Sequence, residues 1–224
     1  MILSISIANN ATLGALAPVL EKLTWRDGKE TAGGQARKVK QNLQAVMQDD
    51  AGKAAQAALM PMIADNAVLK AAARPRRISP LLISKTQDGG HYGAHIDNAL
   101  MGRGEARLRS DLSFTVFLSP KQDYEGGELV VHHAGVSQEI SGEAGELVLY
   151  PSSSIHEVSP VTAGTRIVCV GWIESLIGDA AQRELLFDLE NLRVNMRARG
   201  DTDPAELLAL DKSIANLIRM WART

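Results

Sequence analysis

The sequence predicts an α+β chain with a double-stranded β-helix (jelly-roll) core, preceded by helices and followed by a helical hairpin. Three observations carry that prediction. Helical periodicity dominates up to Pro75 and resumes after Gly178. Between them lie short apolar or alternating runs at 77–85, 112–119, 128–133, 145–150 and 166–173. Gly-Gly, Ser-Pro, Glu-Gly-Gly and Ala-Gly breaks separate those runs. Short strands at this spacing, rich in Val, Ile and Leu, favour an antiparallel sandwich or barrel over a parallel sheet with crossover helices. The chain then divides into a mainly helical segment packed on the core (1–76), the jelly roll (77–176) and the helical hairpin (177–224).

Each element has a local reason. Leu3, Ile5 and Ile7 alternate with Ser4 and Ser6, the pattern of a half-buried strand. Asn10 or Thr12 can cap a helix carrying Leu13, Leu16, Leu20 and Leu23, with Pro18 as a blemish that shortens it. Residues 26–38 are polar and glycine-bearing, so a loop is expected there. Val39, Leu43, Val46 and Met47 restore a helical period, and so does the stretch Ala58 to Ala73. In the hairpin, Leu185, Leu189, Leu192 and Met196 share one helical face. Gly200 joins that helix to a second one. Asp203 as N-cap, Pro204 at the first position and Glu206 form a capping box, ahead of Leu207, Leu210, Ile214, Leu217 and Trp221 on one face. These two apolar faces must cover each other, the barrel or a second subunit, so self-association through the hairpin is expected.

Composition excludes several classes. With 224 residues, 45% of them hydrophobic and 22% charged, the chain can bury a core without disulfides. A net charge of −2 offers no surface for nucleic acid or anionic lipid. Cys169 is the only cysteine, which fits a reducing compartment. Residues 1–20 lack the basic start and continuous apolar run of a signal peptide and are too polar to span a bilayer. A cytoplasmic globular protein is expected.

The chemistry concentrates on a few polar residues. There are five histidines. In His95-Ile96-Asp97 the imidazole and carboxylate point to one face of an extended segment, so both can reach one ion. His156, where an apolar strand ends, can supply a second imidazole. Two histidines and a carboxylate on one face of a metal leave positions open, the facial triad of non-haem Fe(II) oxygenases. Arg166 follows among Val168, Val170 and other apolar residues, and a guanidinium buried there requires an anionic partner. Reading 155–174 as strand, turn (Thr162 to Thr165) and strand puts Arg166 beside His156, where it can bind a dicarboxylate through bidentate hydrogen bonds.

On these residues the chain resembles the Fe(II)- and 2-oxoglutarate-dependent dioxygenases of the prolyl 4-hydroxylase-like branch. GGHYGAHIDNA (89–99), EGGEL (125–129), HEVSPVTAGTR (156–166) and WRDGKETAGGQARKVKQN (25–42) are similar, more narrowly, to bacterial PKHD-type hydroxylases. The resemblance implies Fe(II) held by His95, Asp97 and His156 and the distal carboxylate of 2-oxoglutarate held by Arg166. It further implies dioxygen as cosubstrate, L-ascorbate in support, and hydroxylation of an unactivated carbon with release of succinate and CO2. A carboxylate at position 97 argues against a halogenase, which vacates that place for halide. The substrate is a peptide, a protein or a small molecule. Two other readings compete: a cupin-like metal enzyme without 2-oxoglutarate, which has no use for Arg166, and a non-catalytic iron or 2-oxoglutarate sensor, which has no need of an intact triad.

The remaining candidates have plainer readings. Tyr92 lines the pocket or closes the sheet edge, and His91 is a polar group at the margin of the site or, more simply, an exposed loop residue. His132 and His133 are adjacent in a strand and point to opposite faces, which argues against a joint site. Gly126-Gly127 before Glu128 reads as a tight turn. Arg103, Arg107 and Arg109 flank a glycine-bearing loop (Met101 to Glu105) over the metal, and Cys169 is a small core residue.

Overall fold

The computed structural model describes residues 1–31, 36–104, 107–133 and 135–223. Part of the loop expected at 26–38, namely 32–35, and Glu105 of the loop over the metal lie outside the described residues.

In chain order the elements are β1 (Leu3–Ser6), α1 (Asn10–Leu20), β2 (Trp25–Asp27), β3 (Lys40–Gln41), β4 (Leu43–Ala45), α2 (Asp50–Ala64) and α3 (Ala67–Ala73). There follow β5 (Pro75–Ile78), β6 (Leu82–Gln87), β7 (His91–His95), β8 (Leu100–Met101), β9 (Leu108–Arg109), β10 (Leu112–Phe117) and β11 (Tyr124–Gly126). β12 (Leu129–His133), β13 (Val136–Ile140), β14 (Glu146–Pro151), β15 (Ile155–Val158) and β16 (Val161–Ser175) complete the sheets, before α4 (Ala180–Arg199) and α5 (Pro204–Trp221).

Among the described residues, a major sheet runs β1-β14-β10-β16-β6-β4-β2, with β11 and β5 on the two ends of the long β16. A minor sheet runs β13-β12-β15-β7-β3, and β8 pairs with β9 apart from both. All pairings are antiparallel. This is the jelly roll expected. The outer face of the major sheet packs against α1, α2 and α3 through Leu16, Leu59, Ile63 and Leu69, which meet Ile83, Phe114, Leu147 and Cys169. Its inner face meets the minor sheet in a second cluster of Phe117, Leu129, Val131, Val148, Tyr150 and Val168.

Caps explain the helix starts. The side chains of Asn9, Asp49 and Asn66 each accept a backbone N–H of the first turn, satisfying a donor that the helix leaves open. The cap of α1 is therefore Asn9, one residue ahead of Asn10, and Pro18 sits inside α1 without ending it. Asp203 caps α5, but its carboxylate takes the Ala205 N–H, so the expected box with Glu206 is a simpler cap.

Three expectations change. The helical period read in Val39, Leu43, Val46 and Met47 is a 3-10 turn followed by β3 and β4. These strands are too short to show a period of their own and exist by pairing with β7 and β6. The turn expected at Thr162 to Thr165 lies inside β16, and the chain passes from one sheet to the other at Ser159-Pro160 instead. Gly164 serves close approach there: a Cβ on it would stand 2.0 Å from the Asp123 carbonyl oxygen. On α4 the buried residues are Arg183 and Leu186; of the expected face Leu189 packs into the hairpin's apolar cluster, while Leu185 and Leu192 are exposed, because α4 lies between α3 and α5. The Arg74–Glu190 ion pair at 2.7 Å ties it to the end of α3, and Asp211 receives Arg193 and Arg197 from α4. Among the described residues no helix is long and apolar enough to cross a membrane.

Candidate active site

The cavity between the sheets follows from alternation along strands buried on both faces. All of β10 is buried. Leu112, Phe114 and Val116 point to the helices, and Ser113 and Thr115 point into the cavity. β16 repeats the pattern, with Ile167, Cys169 and Ile173 outward and Arg166, Val168 and Val170 inward. Polar groups at inward positions of a buried strand are costly unless they are used. The cavity opens to solvent and encloses about 1020 Å³ with that open mouth included.

β7 and β15 form the facing wall. Their register sets His95 opposite His156, ring centroids 4.3 Å apart at 52°. Each imidazole is held by its own backbone: His95 Nδ1 lies 2.8 Å from the Gly93 oxygen and His156 Nδ1 lies 3.1 Å from the Ser154 oxygen. A carbonyl only accepts, so Nδ1 carries a hydrogen in both rings, and Nε2 is the ring atom available to a metal. Tyr92 stacks on His95 at 3.7 Å, and Tyr150 meets His156 edge-on at 5.1 Å. Burial, then the neighbouring His156, pulls the His95 pKa down to about 4, so the ring is neutral at neutral pH.

Asp97 lies just past the end of β7. Its Oδ2 accepts the Ser113 hydroxyl at 2.5 Å and stands 3.7 Å from His156 Nε2. Ligand atoms of His95, Asp97 and His156 all lie within 4.8 Å of one another. Two imidazoles and a carboxylate form a donor set that suits a divalent first-row metal such as iron, with positions left open.

Arg166 is 2% exposed, and its Nε and Nη2 have no hydrogen-bond partner. Burial lowers its pKa, while the Tyr124 and Tyr150 hydroxyls act in the opposite direction. Its guanidinium lies over the Phe117 ring at 5.3 Å. Two buried N–H donors beside an apolar face fit a carboxylate, which can take both at once. The Glu-Gly-Gly run makes room for this side chain: a Cβ on Gly127 would stand 2.6 Å from Arg166 Cδ. His95, Asp97, His156 and Arg166 thus line one cavity, but Arg166 does not lie on the strand next to His156. β15 and β16 belong to different sheets, so the guanidinium faces the histidines across the cavity.

Lys40, which the sequence did not single out, also lines the cavity. It is buried, and its ammonium lies over Tyr92 at 5.0 Å. A lysine in a polar stretch reads as solvated, and only the β3–β7 pairing brings it inside. Ser113 was missed too, although a serine at an inward position of an otherwise apolar strand is a usable signal.

The other candidates stay outside this chemistry. His132 bonds Ser137 at 2.8 Å and faces Glu157 at 3.5 Å, while His133 is exposed. Arg109 is spent on Asp111 through two bonds of 2.6 and 2.8 Å, Arg103 is exposed, and the Arg107 carbonyl accepts from Arg77. Cys169 is buried in the helix-side core, and burial pushes its thiol up. His91 is not the exposed loop residue expected: it opens β7, half-buried and paired with Gln41, and bonds the Gly89 carbonyl at 3.2 Å.

Comparisons with known proteins identify the family and the fold. A family model described as the 2OG-Fe(II) oxygenase superfamily matches residues 81–174. A PKHD-type hydroxylase of Hyphomonas neptunium is 46% identical over 222 residues, 99% of each chain. One from Synechococcus elongatus is 43% identical over 99% of this chain and 100% of its own. Among solved structures, a Trichoplax adhaerens prolyl hydroxylase in complex with a peptide fragment of the hypoxia inducible factor oxygen degradation domain is similar in fold. Its TM-score is 0.56 at 16% identity, over 77% of this chain and 83% of that one. HygX of Streptomyces hygroscopicus, with nickel and 2-oxoglutarate bound, has a TM-score of 0.53 at 13% identity, over 79% and 84%.

Proposed function

We propose that this chain, which belongs to the PKHD-type hydroxylases of the 2OG-Fe(II) oxygenase superfamily, hydroxylates an unactivated carbon through His95, Asp97, His156 and Arg166. Membership makes it an iron- and 2-oxoglutarate-dependent hydroxylase. The assignment of those four residues to their roles is our reading. The observation that carries it is the cavity itself, with three convergent donors on one side and, on the other, a buried guanidinium whose Nε and Nη2 have no partner.

On this reading His95, Asp97 and His156 hold Fe(II), and Arg166 takes the distal carboxylate of 2-oxoglutarate. The bound metal supplies dioxygen activation coupled to decarboxylation of 2-oxoglutarate, so that a C–H becomes C–OH and succinate and CO2 leave. The protein's own part is orientation and exclusion of water. Arg166 fixes one end of the cosubstrate by paired hydrogen bonds, which limits the poses of the other end. Phe117, Val168 and Leu129 keep that end of the cavity apolar, so the guanidinium's attraction is not screened by water. The Nδ1–H bonds to Gly93 and Ser154 hold each Nε2 toward the centre of the site. The buried arginine also sets the cupin-like reading aside, since such an enzyme gives it nothing to bind.

L-ascorbate enters as the reductant that keeps iron ferrous, by resemblance to the family. The residues at 77–176 carry the chemistry, with 1–76 contributing Lys40, Asn42 and Gln44 to the cavity wall and 177–224 forming its own apolar cluster beside α3. Exposed Leu185, Leu192, Leu208 and Met220 make the hairpin the place for self-association. The lone buried Cys169 suits the cytoplasm. The substrate is a peptide, a protein or a small molecule.

Uncoupled turnover tests the assignment. Purified protein given Fe(II), ascorbate, dioxygen and 2-oxoglutarate is expected to form succinate, and Arg166→Ala is expected to lose it. Undiminished succinate in that variant would remove Arg166 from the site.

A further inference from the structure

We infer that Ser113 is the positioning residue that orients the Asp97 carboxylate toward the metal, with Ser152 holding Ser113 in turn; this rests on the triad reading above. The need arises from the contrast among the three donors. His95 and His156 are each oriented by a carbonyl two residues back in the chain, Gly93 within β7 and Ser154 just ahead of β15. Asp97 follows β7 in a stretch without regular structure, and the bond that fixes its side chain comes from the major sheet across the cavity.

Proton arithmetic gives that bond a direction. Ser113 Oγ stands 2.5 Å from Asp97 Oδ2 and 2.7 Å from Ser152 Oγ. An ionised carboxylate only accepts, so the single hydroxyl proton of Ser113 goes to Asp97. Ser152 must therefore donate to Ser113, and the chain runs Ser152 to Ser113 to Asp97. Each serine is 2% exposed, so water is not at hand to replace either bond. Both ends are anchored. Ser113 lies in β10, paired on its two sides with Tyr150 of β14 and Trp172 of β16. The Ser152 N–H donates to the Asp111 carbonyl at 3.2 Å, immediately before the same strand. The relay thus lends the rigidity of the buried sheet to the one donor that the minor sheet leaves unsupported. It also occupies one lone pair of the carboxylate and so restricts its rotation.

Co(II) binding by the full-length protein, followed by the d–d absorption of the bound ion, tests this without turnover. Ser113→Ala is expected to weaken Co(II) roughly 10- to 100-fold, the usual cost of losing a partner behind a ligand, and to change the band shape. Ser113→Thr restores the hydroxyl on a residue suited to a strand and is expected to recover the affinity. Ser152→Ala is expected to weaken it less than Ser113→Ala. A folded Ser113→Ala protein that binds Co(II) as tightly as wild type, with the same spectrum, would overturn the inference while leaving the triad intact. A threonine variant no better than alanine would overturn it too, since packing rather than the hydroxyl would then matter. Should Ser113→Ala fail to fold, Ser152→Ala carries the test, and an unchanged Co(II) affinity there would sink the relay. Wild type that takes no Co(II), or a His95→Ala variant that takes it equally well, would overturn the triad reading and this inference with it.

Discussion

The two walls of the cavity are built by opposite rules. In the major sheet both faces are covered, β10 being buried along its whole length and β14 at its four central residues. In the minor sheet one face meets solvent: four of the five residues of β13 are exposed, and β7 and β15 are mostly half-buried. The buried wall supplies Arg166, Ser113 and Thr115, and the half-open wall supplies His95 and His156. Cosubstrate anchoring and metal binding thus fall on walls of different rigidity. Substitutions at the histidines of the minor sheet should act on chemistry more than on stability, and those at helix-facing positions of the major sheet the reverse.

His95→Ala is the strongest test of that contrast. It is expected to abolish 2-oxoglutarate-dependent succinate formation while changing unfolding free energy by no more than about 1 kcal/mol in urea titration. A large loss of stability would show that the histidine wall is structural after all. Phe114→Ala on the opposite wall should do the converse. Phe114 is fully buried and packs so closely on Gly171 that a Cβ there would stand 2.5 Å from its ring. Its truncation should cost about 3–5 kcal/mol, read from the same titration. Turnover per folded molecule should hold near wild type, and a loss of activity without loss of stability would break the comparison.

Lys40 gives the smallest effect, and it belongs to the edge strand that the N-terminal segment adds to the minor sheet. Burial lowers its pKa from 10.5 to about 8, against the opposing pull of Asp27 and then Asp97. The folded chain therefore releases this proton before the unfolded chain does. At neutral pH the buried ammonium weakens the fold, and stability rises with pH between about 8 and 10.5 as that burden is lifted. Lys40→Met should raise the melting temperature at neutral pH by a few degrees and remove the rise at alkaline pH. A variant that melts lower at neutral pH would show that the ammonium's contacts outweigh its desolvation.

How far the sequence reaches depends on the range of the physics. β10 is legible because Leu112, Phe114 and Val116 alternate with smaller residues, and α5 because Asp203 and Pro204 mark its start. β3 and β4 are not legible, since two or three residues carry no period and become strands only when β7 and β6 offer their backbone groups. The buried face of α4 went wrong for a related reason: the partners that cover it, α3 and α5, are not written in its own spacing.

The site divides along the same line. The sequence by itself determined which residue types were available, in His95-x-Asp97, in His156 and in an arginine set among valines, and which side of each strand they would occupy. Only the tertiary structure decided that β16 would join the sheet opposite β15, so that Arg166 faces the histidines rather than flanking them, and that Ser113 would meet Asp97. Period-two alternation sorts side chains to one face or the other but says nothing about which strand will be the neighbour. That choice is made by backbone hydrogen bonds that any extended partner can form, and it is settled by closing two apolar faces over one core.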